Sequence, residues 1–214
     1  MIKLVSEYLF GYPLRRDFDY IEVGGGYGDL SKKLIDQGYI INLFIEPSKE
    51  KYNIAKKILT KTNLENKFIS NLDFSSFSPI NKNVCVIMQD VIEHIPQKDQ
   101  LIFFQKLMNI YESIHLVGRT PNLKSIYGLR NSFGDATHIH RFTNKSLENF
   151  LKEIGFQTTS ISHEPFRITG ITSFLRSIPY HILISLYSIT YLFIYGSWEG
   201  YMTPNIVFFR KCRK

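Results

Sequence analysis

The sequence predicts an α/β protein with a doubly wound, mostly parallel sheet. Three observations carry that expectation. Short β-rich runs alternate with helix-period segments from residue 19 to residue 156, as in βαβ units. A glycine cluster, Gly24 to Gly28, separates the first strand-like run from the first helix-like one. An acid, Glu46, ends the next strand-like run, about twenty residues on, where doubly wound nucleotide folds place a ribose ligand.

In chain order, strands are expected near Tyr20–Val23, Ile40–Ile45, Lys67–Ser70, Val84–Met88, Ile114–Val117, Gln157–Ser162 and Ile206–Arg210, each rich in β-branched, aromatic or aliphatic residues. Between them, Asp29–Gln37 reads as a helix stopped by Gly38, Ser48–Leu59 as one begun by Pro47, and Gln97–Tyr111 as one following Pro96. The clearest helix is Asn144–Ile154. Thr143 is placed to cap it, Leu147, Phe150, Leu151 and Ile154 make one apolar stripe, and Gly155 is placed to end it in a left-handed turn. The stretch SNLDFSSFSPINKN, Ser70 to Asn83, predicts a loop or a single turn in place of a crossover helix.

With 214 residues and 44% hydrophobic content the chain can bury one sizeable core, and no repeat or linker divides it. One domain over residues 1–214 is expected. A charged fraction of 21% is unlike a disordered or fibrous chain. Cys85, in an apolar run, and Cys212, in the basic tail RKCRK, form neither a disulfide framework nor a CxxC metal pattern, which fits a reducing cytoplasm. The first residues, MIKLVSEYLFGYPLRRDF, carry Glu7 and lack the long apolar core of a secretory signal. The net charge of +7 suits anionic partners such as phosphorylated substrates, acidic glycans or the cytoplasmic membrane face. Nucleic acid is disfavoured, because the basic residues form no stripe interleaved with aromatics.

A strand, a glycine turn and a helix together bring backbone N–H groups up to a ligand at the helix N-terminus. The dinucleotide fingerprint G-x-G-x-x-G fails here, since counting from Gly24 and Gly26 the third place is Asp29, an acid facing a pyrophosphate. No Gly-Lys-Ser/Thr follows the loop either. Read otherwise, it is Glu22-x-Gly24-x-Gly26-x-Gly28, which resembles motif I of the class I S-adenosylmethionine-dependent methyltransferases. The stretch VCVIMQDVIEHIP, residues 84–96, looks like the motif that follows the fourth strand of that class. GRTPN at 118–122 and GDATHIHRFTNKSLENFLKEIGF at 134–156 resemble the bacterial members of polysaccharide and O-antigen biosynthesis.

The resemblance implies a Rossmann-like, seven-stranded sheet whose last strand is antiparallel, with S-adenosylmethionine as cofactor. It implies cofactor contacts at Glu22, Gly24, Gly25, Gly26, Gly28, Glu46, Asp73, Gln89 and Asp90, and adenine contacts near Asn71, Leu72 and Asp73. Asn83 departs from the pattern, standing where an aspartate often starts the fourth strand. The expected reaction is O-methylation of a sugar hydroxyl in surface polysaccharide assembly, on a free, nucleotide-linked or lipid-linked glycan. Alternatives are a quinone-like or other small acceptor, or a non-catalytic cofactor-binding partner in a larger complex. The location expected is cytoplasmic, with contact to the inner membrane face.

A sugar hydroxyl is a poor nucleophile while protonated, and histidine supplies a base near neutral pH without a large shift. His138 is the expected base, oriented by Asp135, with His94 as the second candidate. His140 reads as a packing residue. No metal is expected. The competing reading is that Asp90, Glu93 and His94, at i, i+3 and i+4, share a helical face and bind a divalent ion, whereas the plain one is a capping box of Asp90 with Glu93.

With an antiparallel last strand, residues 166–203 become a long helical insertion between the last two strands, expected at the rim of the acceptor pocket. No Lys, Arg, Asp or Glu occurs from Ser177 to Tyr195. A spanning helix is set aside, because Ser177, His181, Ser185 and Ser188 make a polar stripe, Pro179 suits a first turn, and NIVFFR must return to the sheet. An ordinary buried helix is expected. Tyr187, Tyr191, Tyr195, Trp198 and Tyr201 are rings suited to a membrane interface, a sugar, or a second copy of the chain.

Overall fold

The computed structural model describes residues 14–59, 67–69, 79–156, 158–164, 166, 168, 170–196 and 202–213. The elements run β1 (Phe18–Val23), α1 (Asp29–Asp36), β2 (Ile41–Ile45), α2 (Lys49–Leu59), β3 (Lys67–Ile69), β4 (Asn83–Gln89), α3 (Gln97–Ile110), β5 (Ser113–Pro121), α4 (Ile126–Gly134), α5 (Asn144–Glu153), β6 (Thr158–His163), α6 (Ile171–Tyr195) and β7 (Asn205–Arg213). The strands form one sheet in the order β3-β2-β1-β4-β5-β7-β6. The pairings from β3 through β5 are parallel, and β7 runs antiparallel to both β5 and β6.

Because successive strand residues point to opposite faces, the central strands feed two cores. Ile21, Val23, Val84, Val86 and Met88 join Phe103, Phe104 and Leu107 of α3 and Leu147, Phe150 and Leu151 of α5 on one side. Phe18, Tyr20, Cys85 and Ile87 join Leu34 and Ile35 of α1 and Ala55 and Leu59 of α2 on the other. That double burial explains why β1 and β2 read as nearly unbroken apolar runs. Asp19 and Glu22 are the exceptions in β1, and Asp19 serves the fold. The buried Asp19 carboxylate accepts from the backbone of Ile80 and Asn81, the Asn81 amide and the Tyr111 hydroxyl, which pins the turn entering β4 to the end of α3.

The capped helix behaves as its sequence requires. The Thr143 hydroxyl accepts from Ser146 N, and the Ser146 hydroxyl accepts from Thr143 N. Two elements differ from expectation. Residues 126–134 form α4, a helix not among those expected. The insertion helix α6 starts at Ile171, so Pro179 lies inside it and not in its first turn.

The ordinary buried helix expected for α6 is also corrected. Ser177, Ile184 and Ser188 are its buried residues, whereas Leu175, Ile182 and Phe193 are 60%, 55% and 84% exposed. The serines face inward because each can satisfy its hydroxyl against the helix itself: Ser177 donates to Phe174 O and Ser188 to Ile184 O, while Ser188 also accepts from Met202 N. Small side chains there let the helix lie close to the body, and the bulky apolar ones point away. By length and hydropathy α6 meets the requirement for crossing a membrane. Trp198 and Tyr201 lie outside the described residues.

Candidate active site

The glycine loop leaves β1 at its carboxyl end. Gly24, Gly26 and Gly28 have φ of 66°, 59° and 82°, a region that side chains with a Cβ rarely occupy. Gly24 N and Gly25 N both reach Ile45 O, which docks the loop on β2. A Cβ on Gly25 would fall 2.2 Å from the Phe44 ring, whereas one on Gly26 would meet nothing within 4 Å. The open side of Gly26 is thus the side free for a ligand. Beneath the loop, Glu22 is buried, and its Oε2 accepts from the Ser31 amide and hydroxyl. Burial pushes this carboxyl up to about 7 against the Ser31 bonds. Glu22 therefore ties the loop to α1.

Beside the loop lies a cavity of about 480 Å³ lined by Val23, Gly24, Ile45, Glu46, Pro47 and Lys51 on one side and Asp90, Val91, His94, Ile95, Pro96 and Asp99 on the other. It sits at the carboxyl ends of the parallel strands, where open α/β sheets bind ligands. Glu46 accepts from Gly26 N through Oε2 and from Ser48 N through Oε1, at 2.8 Å each. Each oxygen keeps a lone pair for ribose hydroxyls. Gln89 ends β4 opposite Arg119 and is not among the residues lining this cavity. Asn71, Leu72 and Asp73 lie outside the described residues.

A second cavity, of about 450 Å³, adjoins the first at Asp90 and His94. Glu93, Arg119, Arg130, Asn131, Asp135, His138 and Asn205 supply much of its lining. Asp90 has φ 53°, a conformation aspartate tolerates better than most side chains. It forms a two-point pair with Arg119, whose Nε lies 3.0 Å from Oδ1 and whose Nη2 bonds Oδ2. Arg119 Nη1 reaches Glu164, and the Asn205 amide donates to the same carboxylate. These groups span the ends of β4 through β7.

Glu93 does not reach back to cap Asp90. Its side chain is buried, and neither oxygen has a hydrogen-bond partner among the described residues. Burial pushes its carboxyl up to about 7, reinforced by the Asp90 charge and opposed by the nearby Thr120 hydroxyl. Its peptide carbonyl accepts from both Ile139 N and His140 N, binding the loop after β4 to the loop before α5. His138 Nε2 stands 3.9 Å from Glu93 Oε1, and the His94 and His138 rings are 4.5 Å apart.

The expected orienting role of Asp135 is corrected. Asp135 Oδ1 is taken by the Thr137 amide and hydroxyl, and its Oδ2 lies 3.9 Å from His138 Nε2, beyond a hydrogen bond. His138 is held instead by Ser132 O, 3.2 Å from Nδ1, a contact supplied by α4. His94 is held likewise by Thr137 O at 3.2 Å from Nδ1. His140 packs against Phe142 and Phe150, as a structural residue should. The alternative trio of Asp90, Glu93 and His94 is also revised, since Asp90 is committed to Arg119. The three side chains that converge are Glu93, His94 and His138, with ligand-capable atoms all within 4.8 Å of one another. Arg119, Arg130, Asn131 and Asn205 are site residues the sequence did not single out.

Residues 1–161 match the family model described as a methyltransferase domain. Among solved structures, the chain is similar to a SAM dependent methyltransferase from Archaeoglobus fulgidus at 15% identity and a TM-score of 0.64, over 98% of this chain and 93% of that one. It is similar to the small RNA methyltransferase HEN1 at 17% and 0.60, over 98% of this chain and 25% of that one. The cyclopropane synthase MmaA2 from Mycobacterium tuberculosis gives 16% and 0.56, over 98% and 82%. No curated protein matches the sequence significantly. Such different roles on one fold leave the acceptor to be argued from the site. The glycine loop with an open side at Gly26, the carboxylate of Glu46 and the cavity between them suit the cofactor, and the chain belongs to the methyltransferase-domain family, with S-adenosylmethionine as its methyl donor.

Proposed function

We propose that the protein is an O-methyltransferase acting on a sugar hydroxyl during assembly of a surface polysaccharide. The observation that supports this best is the meeting of two cavities at Asp90 and His94, one beside the glycine loop and one lined by carboxylates, guanidinium groups, amides and imidazole. Closely spaced donors and acceptors of that kind suit a polyhydroxylated acceptor better than a quinone-like ring, which calls for flat apolar walls.

When bound, S-adenosylmethionine supplies an electrophilic methyl group on a sulfonium. Gly24, Gly26 and Glu46 hold it, and the second cavity holds the acceptor, so that much of the rate comes from alignment in a shielded cleft. The acceptor proton leaves at the Glu93–His94–His138 cluster. In the absence of a cation there, His138 Nε2 is the base, its Nδ1 being anchored by Ser132 O.

The outward apolar face of α6 supports a place for this reaction at the inner membrane face, where a lipid-linked glycan would lie. The helix lies in the surface in this reading and does not cross it. The test is transfer of labelled methyl to nucleotide-linked and lipid-linked glycans against quinol and catechol acceptors. Transfer to the aromatic acceptors alone would overturn the sugar reading.

A further inference from the structure

We propose that Glu93, His94 and His138 form a binding site for one divalent transition cation, which holds the acceptor hydroxyl beside the methyl donor. The inference rests on the cluster being where the hydroxyl is activated, and it gives that cluster a ligand.

The first argument is an unmet need. Glu93 is 1% exposed, and both of its oxygens lack a hydrogen-bond partner among the described residues. A buried carboxylate in that condition is costly unless something positive meets it. Arg119 lends its charge from a distance but makes its hydrogen bonds to Asp90 and Glu164, not to Glu93.

The second argument is the state of the histidines. A metal-ligating imidazole characteristically gives its second ring nitrogen to a carbonyl or carboxylate, which fixes the tautomer and the ring. Both rings are prepared in this way. His138 Nδ1 faces Ser132 O and His94 Nδ1 faces Thr137 O, each at 3.2 Å, leaving the Nε2 lone pairs available. These carbonyls belong to α4 and to the loop after it, so the preparation of the pair comes from chain distant in sequence from the DVIEHI stretch.

The third argument is size. Atoms that lie within 4.8 Å of one another have a common point about 2.8 Å from each by simple geometry. Metal–nitrogen and metal–oxygen distances are about 2.0–2.2 Å, so small side-chain movements close the site. Two imidazoles and one carboxylate suit zinc, manganese, iron or cobalt better than magnesium or calcium. Three protein ligands leave positions for water or an acceptor oxygen, and His94 borders both cavities.

The experiment titrates chelator-stripped, full-length protein with Co²⁺, read by visible d–d absorption, and with Zn²⁺ and Mn²⁺ by calorimetry. One equivalent should bind. Glu93→Gln and His138→Gln should each weaken binding at least tenfold, and Glu112→Gln, at the exposed ion pair with Lys82, should leave it unchanged. Thermal melts establish that each variant is folded, and the partly exposed His94→Gln replaces any that is not. Absence of a saturable site, or equal affinity in wild type and the ligand variants, would overturn the proposal. One bound equivalent with no transfer to any sugar would leave the cation site standing and remove the acceptor reading. Undiminished sugar methylation in chelator would do the reverse.

Discussion

Replacing Glu22 with glutamine should flatten the pH dependence of stability and make the protein more stable than wild type at alkaline pH. Glu22 is 6% exposed, and its carboxyl is raised from 4.5 to about 7, chiefly by burial. Below about pH 4.5 the carboxyl is protonated in folded and unfolded chains alike. As pH rises, the unfolded chain releases this proton first, so stability falls until the folded carboxyl also ionises near pH 7 and then levels off. The gap of 7 − 4.5 units, at about 1.36 kcal/mol per unit, gives about 3 kcal/mol in all, of which about 2–3 kcal/mol falls between pH 5 and pH 8. Glutamine keeps an oxygen to accept from Ser31 but has no charge to lose. Urea unfolding of both proteins at pH 5 and pH 8, without cofactor, isolates the effect, because the other titrating groups cancel in the difference. Parallel pH curves, differing by less than about 0.5 kcal/mol, would refute the assignment of Glu22 as an acid whose ionisation burial delays to near neutral pH.

Gly26→Val forces a β-branched residue into φ 59° on the open side of the loop, and Glu46→Ala removes the carboxylate beside it. Each should weaken S-adenosylhomocysteine binding at least tenfold by calorimetry, and wild-type affinity in both would remove the cofactor site from this cavity. Arg119→Leu leaves the Asp90 and Glu164 carboxylates without their shared partner and should cost about 1–3 kcal/mol in denaturant unfolding. Thr143→Ala removes the side-chain half of the α5 cap and should cost about 1 kcal/mol, read the same way. On vesicles containing an anionic lipid the protein should float with the lipid, and Leu183→Glu with Leu186→Glu on the outward face of α6 should abolish flotation. A wild-type protein that stays in the aqueous fraction would end the membrane reading.

The cofactor half of the site was legible because its signals are local. A glycine loop must lie between a strand and a helix, and the acid closing β2 falls at the same sheet edge once the sheet is parallel. The Thr143 cap and the Leu147–Phe150–Leu151 stripe were equally plain, each being a matter of spacing within one helix. The acceptor half was not, since its geometry comes from segments far apart in sequence. Ser132 O replaces Asp135 as the anchor of His138, and nothing about a backbone carbonyl marks it in a sequence. The helix that carries Ser132, Arg130 and Asn131 was masked by Gly128 and Gly134. The inside-out character of α6 escaped notice because a polar stripe normally marks the solvent side, and here the serines face the body, bonding mostly to their own helix.

The peptide carbonyl of Glu93, shared by the N–H groups of Ile139 and His140, makes the two halves of the site mechanically one. The turn bearing Glu93 and His94 also contributes Val91, Ile95 and Pro96 to the cofactor cavity, and the loop it fastens bears His138 in the acceptor cavity. A displacement at either cavity is passed to the other through this carbonyl and the neighbouring contact of His94 with Thr137. Cofactor and acceptor should therefore bind with mutual dependence, each changing the affinity of the other by the same factor, and that factor should shrink when lengthening the 135–140 loop loosens the clasp.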